Sequence, residues 1–224
     1  GWGTFFIFSV IFSYRSFSNG CGATDLHLND PRNKNLVTNN LFVIIEIMSK
    51  SNTNPSLSII IVNYNGKILL EKCLESLLKV NYDNFEIILV DNNSTDGSIE
   101  YVIKNFPSVI VIKLDSNQGF AKPNNIGAKI AKGEYLLFLN NDTIVTADFI
   151  SELVKGIETD KKTAICQSLL LKPDGSIDSS GDFIDTIGIV YNSKEPIDGI
   201  REISSARGAS MITRKKLFVE LGGL

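Results

Sequence analysis

Apolar positions along this chain come in short runs divided by polar loops, and the spacing inside the runs alternates between two kinds. Residues 58–62 form a β-branched run that stops at Asn63, Tyr64, Asn65 and Gly66, the pattern of a strand entering a polar turn. Ile68, Leu69, Cys73, Leu74, Leu77 and Leu78 follow at three- and four-residue steps. Glu71, Lys72, Glu75 and Lys79 occupy the other side, so an amphipathic helix is predicted. The pair then repeats. Residues 85–90 read as a strand delivered into Asp91, Asn92, Asn93, Ser94, Thr95, Asp96 and Gly97, and residues 99–106 as a helix that Asp96 or Thr95 would cap. Further strands are predicted at 109–114, 135–139 and 164–171, and further helices ahead of Gly133, over 147–159 and over 214–221. Pro173, Asp174 and Gly175 make a turn, and past Gly181 the pattern loosens into short apolar pieces.

Alternation of this kind predicts an α/β fold with a mainly parallel, Rossmann-like sheet and helices on both faces. In such a sheet ligands bind outside the carboxyl ends of the strands. Three of those ends carry hydrogen-bonding side chains: Asn63, Tyr64 and Asn65; Asp91, Asn92 and Asn93; Asn140, Asn141 and Asp142. Lys122 stands before Pro123, which places a helix start at Pro123 with Asn124 and Asn125 in the first turn. Free N–H groups and the helix dipole there favour an anion such as phosphate. Taken singly, each Asn or Asp reads more simply as a turn former, Asp96 as a helix cap, and Asn117 with Gly119 as a tight turn needing positive φ. Their convergence is what points to a ligand.

Composition narrows that ligand. At 224 residues and 43% hydrophobic content the chain can hold one good core. Its 22 basic and 25 acidic residues are well mixed and sum to −3, which argues against a nucleic-acid footprint. Cys21, Cys73 and Cys166 have no metal-ligand spacing and leave an odd count, so a reducing compartment is expected, with Cys73 and Cys166 in the core. A single histidine, His27, excludes a histidine zinc cluster and a Ser-His-Asp arrangement in the later chain. Carboxylates and bound metal are left to carry catalysis. Asp91 can accept from a nucleobase N–H or a ribose hydroxyl, and Asp142 can hold Mg²⁺ or Mn²⁺ whose shell phosphate oxygens and water complete.

The opening differs from the rest. Residues 2–14 are rich in Phe and Ile but fall short of the ~20 needed to span a bilayer, and they lack a basic leader or a clear cleavage site. The first methionine, Met48, opens a polar run just ahead of the first strand. Residues 1–54 are therefore expected to be an N-terminal extension or read-through with a polar linker, Met48 being the natural start; a real N-terminal anchor is the alternative. Residues 55–224 are expected to be the domain, truncated at its C-terminal end.

The segments SIIIVNYNG (58–66), VDNNSTDG (90–97), NQGFAKPNNIG (117–127), GEYLLFLNNDT (133–143) and RGASMITRKKLFVELGG (207–223) resemble the ordered motifs of family 2 glycosyltransferases. They are most similar to the rhamnosyltransferase-like branch that builds cell-surface polysaccharide. The resemblance implies a GT-A fold, a divalent cation (Mg or Mn) and inverting transfer of a sugar, rhamnose in that branch. The donor would be a nucleotide-diphosphate sugar, dTDP- or UDP-linked, and the acceptor a lipid-linked or saccharide hydroxyl. It also implies donor contacts at Asn63, Tyr64, Asn65, Asp91, Asn93, Asn117, Gly119, Asn125, Asn141 and Asp142, a metal at Asp142, and a sugar or acceptor wall at Gly208, Ala209 and Ser210.

Asp91 matches the family's nucleoside-contacting aspartate, and residues 140–142 match its Asp-x-Asp motif. Asn140, neutral in the first acidic position, and Pro123, where small residues are frequent, depart from the pattern. The family's general base is an Asp in a Glu-Asp pair that follows the segment 207–223, so no catalytic residue is expected within the chain and the base is expected downstream of Leu224. A cytoplasmic location is implied, with the inner face of the membrane and peripheral association left open and no nucleic-acid partner. Two alternatives stay beside it. A non-catalytic nucleotide-sugar binding module fits the single carboxylate of residues 140–142. An NAD-dependent oxidoreductase would need G-x-G-x-x-G after the first strand, where the chain reads Asn63, Tyr64, Asn65, Gly66, Lys67.

Overall fold

The apolar runs become strands, and most of them join one sheet. The computed structural model describes residues 5–15, 54–197 and 199–224, the first of these as backbone alone. Its strands are β1 (Phe5–Arg15), β2 (Leu57–Asn63), β3 (Phe85–Asp91), β4 (Ile110–Lys113), β5 (Tyr135–Asn140), β6 (Thr143–Val145), β7 (Thr163–Leu171), β8 (Ile177–Ser179), β9 (Asp182–Ile184), β10 (Val190–Asn192), β11 (Arg201–Glu202) and β12 (Ser210–Arg214). The helices are α1 (Lys67–Leu77), α2 (Ser98–Asn105), α3 (Ala121–Ile130), α4 (Phe149–Thr159) and α5 (Lys215–Glu220). The sheet runs in the order β11-β1-β7-β12-β5-β2-β3-β4, with β6 paired to β1 and β8 to β7, while β9 and β10 form a hairpin of their own.

Strands β4, β3, β2 and β5 are parallel neighbours, as the alternation requires. Side chains alternate across them and divide the core into two layers. Ile59, Ile61, Leu89, Leu137 and Leu139 face α1, α2 and α4, where they meet Leu70, Leu74, Leu77, Val102, Phe149 and Leu153. Ile60, Ile88, Val90, Leu136 and Phe138 face α3 and α5, where they meet Ala128 and Phe218. Helices thus cover both faces. Each fully buried side chain of this kind contributes about 1.5–3 kcal/mol. Gly127 lets α3 lie close on the sheet, since a Cβ there would stand 2.7 Å from Ile60 Cγ2. Cys73 and Cys166 are buried free thiols in this core, and burial pushes both up to about 12.

Three features depart from the sequence expectations. Helix α3 begins at Ala121 rather than Pro123; the proline sits in its first turn, where a missing N–H leaves no helical bond unmade. Asn125 consequently lies beyond that turn. Strand β12 runs antiparallel between β5 and β7, in the segment where the pattern loosens. Its polar residues mask the strand signal, yet they are satisfied internally: Ser210 shares a hydrogen bond with Ser168, and Thr213 donates to the Ala164 carbonyl at 2.9 Å. Finally, β1 falls within the segment expected to stand apart, and its backbone pairs antiparallel with β7 as part of the unit that holds residues 55–224. The aromatic and β-branched composition of residues 5–15 suits a strand. Cys21, His27 and Met48 lie outside the described residues. Among the described residues no helix is long and apolar enough to cross a membrane.

Candidate functional site

Parallel pairing sets Asn63 beside Asp91 and Val62 beside Asn140, so the three polar strand ends do meet at one edge of the sheet. Two of the expected donor contacts are inaccessible there. Asn63 and Asp91 are both fully buried. The Asn63 amide nitrogen reaches Asp91 Oδ1 at 3.1 Å, Ser94 Oγ at 3.1 Å and Ser98 Oγ at 3.0 Å, while its oxygen accepts from Asn141 Nδ2 at 2.8 Å. Asp91 also accepts from the Ser94 hydroxyl at 2.5 Å and the Ser94 N–H at 2.8 Å. A buried carboxylate needs such donors. In this arrangement Asn63 and Asp91 brace the loops from behind.

In front of this brace lies a cavity of about 360 Å³. Tyr64, Asn65 and Gly66 form one side, Gly119 and Phe120 another, and Asn140, Asn141 and Asp142 line it further, with Val62 and Leu69 as apolar lining. A Cβ at Gly66 would stand 2.4 Å from Asn141 Nδ2 and 2.8 Å from Asn63 Oδ1, so any larger residue there has to displace the two amides that hydrogen-bond each other. Asn65 adopts a left-handed φ of 49° and ties two loops together: its N–H donates to Ser94 Oγ at 2.9 Å and its side-chain oxygen accepts from the Thr95 N–H at 2.8 Å.

Asp142 is half-buried, and its Oδ1 is a buried atom with no hydrogen-bond partner among the described residues. Burial raises its carboxyl above the ordinary aspartate range, against a smaller lowering from a hydrogen bond with its own backbone. An orphaned carboxylate oxygen is costly, and a cation relieves that cost. The residues present therefore fit a divalent ion held by one carboxylate and shared with phosphate oxygens and water. Among the described residues no group of three or more His, Cys, Asp or Glu could form a complete protein cage.

The remaining expected positions sit elsewhere. Asn93 is exposed with a left-handed φ of 66°. Asn117 is exposed and accepts from the Gly119 N–H at 3.0 Å, which holds a turn at Gly119, φ 77°. Asn125 clasps the backbone of Leu224 through its amide nitrogen and oxygen, both at 2.9 Å. Neither Asn93, Asn117 nor Asn125 lines the cavity. Of the expected wall, Ser210 is buried inside β12, and Ala209 packs on the core while its carbonyl accepts from the Asn140 N–H at 3.0 Å. Gly208 approaches the aromatic side of the cavity lining: a Cβ on it would lie 2.7 Å from Phe120 Cζ. Its neighbour Arg207 is held by Asp182, with Nε 3.1 Å from Oδ1.

Asp96, expected as a cap, does more. Its carboxylate accepts from the Lys67 N–H at 2.8 Å and the Ser98 N–H at 3.0 Å, joining the first turns of α1 and α2. Partial burial would raise its carboxyl, but hydrogen bonds from Ser98 and Lys67 outweigh that and hold it below the ordinary range. The sequence reading missed Phe120, Ser94 and Ser98. The signal for Phe120 was an exposed aromatic directly after a turn glycine in a polar loop; the serines looked like ordinary turn residues.

Comparison with known proteins gives consistent results. The model of glycosyl transferase family 2 matches residues 58–222. An uncharacterised glycosyltransferase of Haemophilus influenzae is 32% identical over 177 residues, covering 75% of this chain and 56% of its own length. The Escherichia coli protein WfaP, a UDP-Glc:α-D-GlcNAc-diphosphoundecaprenol β-1,3-glucosyltransferase, is 39% identical over 105 residues, covering 46% of this chain and 42% of its own. The chain thus spans about half the length of these relatives. The mannosyltransferase PcManGT from Pyrobaculum calidifontis, solved with GDP-Man and Mn²⁺, shares the fold at a TM-score of 0.56 and 17% identity, over 82% of this chain and 53% of that one.

Proposed function

The chain belongs to glycosyl transferase family 2 and has the GT-A fold, and from that premise we propose that it moves a hexose from a nucleotide-diphosphate donor to an acceptor hydroxyl in cell-surface polysaccharide synthesis. One observation carries the proposal: Asp142, whose buried Oδ1 has no hydrogen-bond partner among the described residues, lines a cavity flanked by the exposed rings of Tyr64 and Phe120. An aromatic face suits a nucleobase, and a carboxylate lacking a partner suits the cation that accompanies a diphosphate.

In this reading Tyr64 stacks on the base, Asn141 and the Asn65–Gly66 turn border the ribose and diphosphate, and Asp142 holds Mg²⁺ or Mn²⁺. The ion, when bound, offsets charge on the departing diphosphate. The brace of Asn63 and Asp91 fixes the loops so that these groups need not reorganise on binding. We assign donor binding to residues 55–224, in a transfer that inverts the configuration at the transferred carbon. The motif resemblance favours rhamnose as the sugar and dTDP or UDP as the carrier. The E. coli relative is named for transfer to a saccharide on diphosphoundecaprenol, which supports a lipid-linked saccharide acceptor here and, with it, work at the inner face of a membrane.

Titration with UDP, dTDP, GDP and NAD, each with and without Mn²⁺, tests the reading, followed by a donor-hydrolysis panel of the corresponding nucleotide sugars. Metal-enhanced binding of one nucleoside diphosphate is expected. Binding of NAD alone would overturn it. Metal-enhanced binding without hydrolysis or transfer of any sugar would favour the non-catalytic nucleotide-sugar module, which the single carboxylate also fits.

A further inference from the structure

A second cavity, of about 280 Å³, opens beside the β9–β10 hairpin and does not share a lining residue with the one around Asp142. Phe183 and Tyr191 stack across the hairpin with ring centroids 5.8 Å apart and planes at 30°. Arg201 packs on the Phe183 ring, its Cζ 4.4 Å from the centroid, and is itself fixed by hydrogen bonds to the Ser180 carbonyl at 2.9 Å and hydroxyl at 3.1 Å. Tyr191 remains 53% exposed. Asn192 donates to the Asp178 carbonyl at 2.7 Å, while its Oδ1, a buried atom, has no partner among the described residues. Lys194 and Glu195 line the same cavity with exposed side chains.

We propose that this cavity is a saccharide subsite on the acceptor side of the enzyme. A pyranose has one apolar C–H face and a rim of hydroxyls, and the cavity offers the complement of each. The apolar face lies on Tyr191, whose ring stacks on Phe183. A ring hydroxyl meets Asn192, which lines the cavity. Lys194 donates to, and Glu195 accepts from, hydroxyls at the rim. The cavity stands at the small end of ligand sites, which run from ~300 to 1,000 Å³, so it suits a single ring rather than a nucleotide. Its charges of both signs give a diphosphate no advantage.

Backbone continuity places the site on the acceptor side. Asp182 heads β9, bridges to Ser205 and holds Arg207; Gly208 then follows against Phe120 at the donor cavity. A saccharide on Tyr191 is thereby tethered to the same short segment that borders the donor.

This inference rests on the glycosyltransferase reading, and the experiment separates the two. Saturation-transfer NMR on the full chain, with glucose, galactose, mannose and N-acetylglucosamine as probes, is run with and without saturating UDP and Mn²⁺. At least one hexose should bind whether or not UDP is present. Tyr191→Ala should weaken that binding at least tenfold and leave UDP affinity within twofold of the parent. Lys194→Ala, altering only an exposed rim residue, should weaken hexose binding by a smaller factor with the same UDP affinity. Absence of binding by all four hexoses, displacement of the hexose by UDP, or unchanged binding in Tyr191→Ala would each overturn the subsite. Failure of UDP to bind, with hexose binding sensitive to Tyr191, would instead sink the donor-site reading and leave the saccharide site standing.

Discussion

The amide of Asn63 meets the carboxylate of Asp91 at 3.1 Å across the β2–β3 ladder, with neither side chain open to solvent. Removing either partner strands buried polar groups. Asp91→Ala should therefore cost about 1–3 kcal/mol of stability, read as a lower midpoint in urea, and Asn63→Ala should do the same. If Asp91→Ala leaves the midpoint unchanged while nucleotide affinity falls, Asp91 contacts the ligand directly and the bracing role is wrong.

Most of the scaffold was legible in the order of residues, because strands β2, β3 and β5 and helices α1 and α4 carry unbroken apolar periodicity. The convergence of Asn63, Asp91 and Asn140 followed from alternation alone. What periodicity could not reveal was depth. Asn63 and Tyr64 are adjacent and both looked like loop residues, yet the pleat turns Asn63 into the structure and leaves Tyr64 52% exposed. Strand β12 was hidden for a different reason: Ser210, Thr213 and Arg214 obtain their partners only from elements distant in sequence.

Asp142 should separate function from stability. Burial raises its carboxyl in the folded protein, so stability falls as pH rises from the ordinary aspartate value through the raised one, and the ionised group is a liability at neutral pH. Asp142→Asn should keep or raise the metal-free melting temperature. It should also remove the Mn²⁺-dependent gain in UDP affinity, a loss of tenfold or more, about 1.4 kcal/mol. A falling melting temperature with intact metal dependence would contradict both assignments.

The Asp96 carboxylate has the opposite sign. Held below its ordinary range, it contributes stability that is fully present above the unfolded value of ~3.9 and is lost as pH falls through the lowered value. Asp96→Asn should melt earlier than the parent at neutral pH, and the two curves should draw together in acid. A gap independent of pH would show that the hydrogen bonds to Lys67 and Ser98 matter only as geometry.

Phe120 and Gly208 should behave as a pair. A Cβ at Gly208 lies 2.7 Å from the Phe120 ring, so Gly208→Ala has to displace that exposed ring from the donor cavity. UDP-sugar affinity should fall several-fold with little change in melting temperature, and Phe120→Leu in the same chain should recover part of it. Independent, additive effects would disprove the coupling.

Backbone pairing of β1 with β7 predicts that removing residues 1–47 destabilises the domain, because it uncovers ladder positions along residues 163–171. In a chain of this size each kcal/mol lost lowers Tm by about 2–4 °C. An unchanged Tm would return the N-terminal segment to the status of a separate extension.

Strand β12 enters the sheet late in the chain and in the middle of the strand order. During synthesis, β5 emerges with one edge and an apolar face committed to a partner that does not yet exist. At ~5–20 residues per second the wait for the segment 210–214 is roughly 4–14 s. Throughout that interval Tyr135–Asn140 is an open-edged hydrophobic strand, the kind that pairs with whatever chain is nearest. Nascent chains arrested before Ser210 should depend on a holding chaperone to stay soluble, and those arrested well past Arg214 should not.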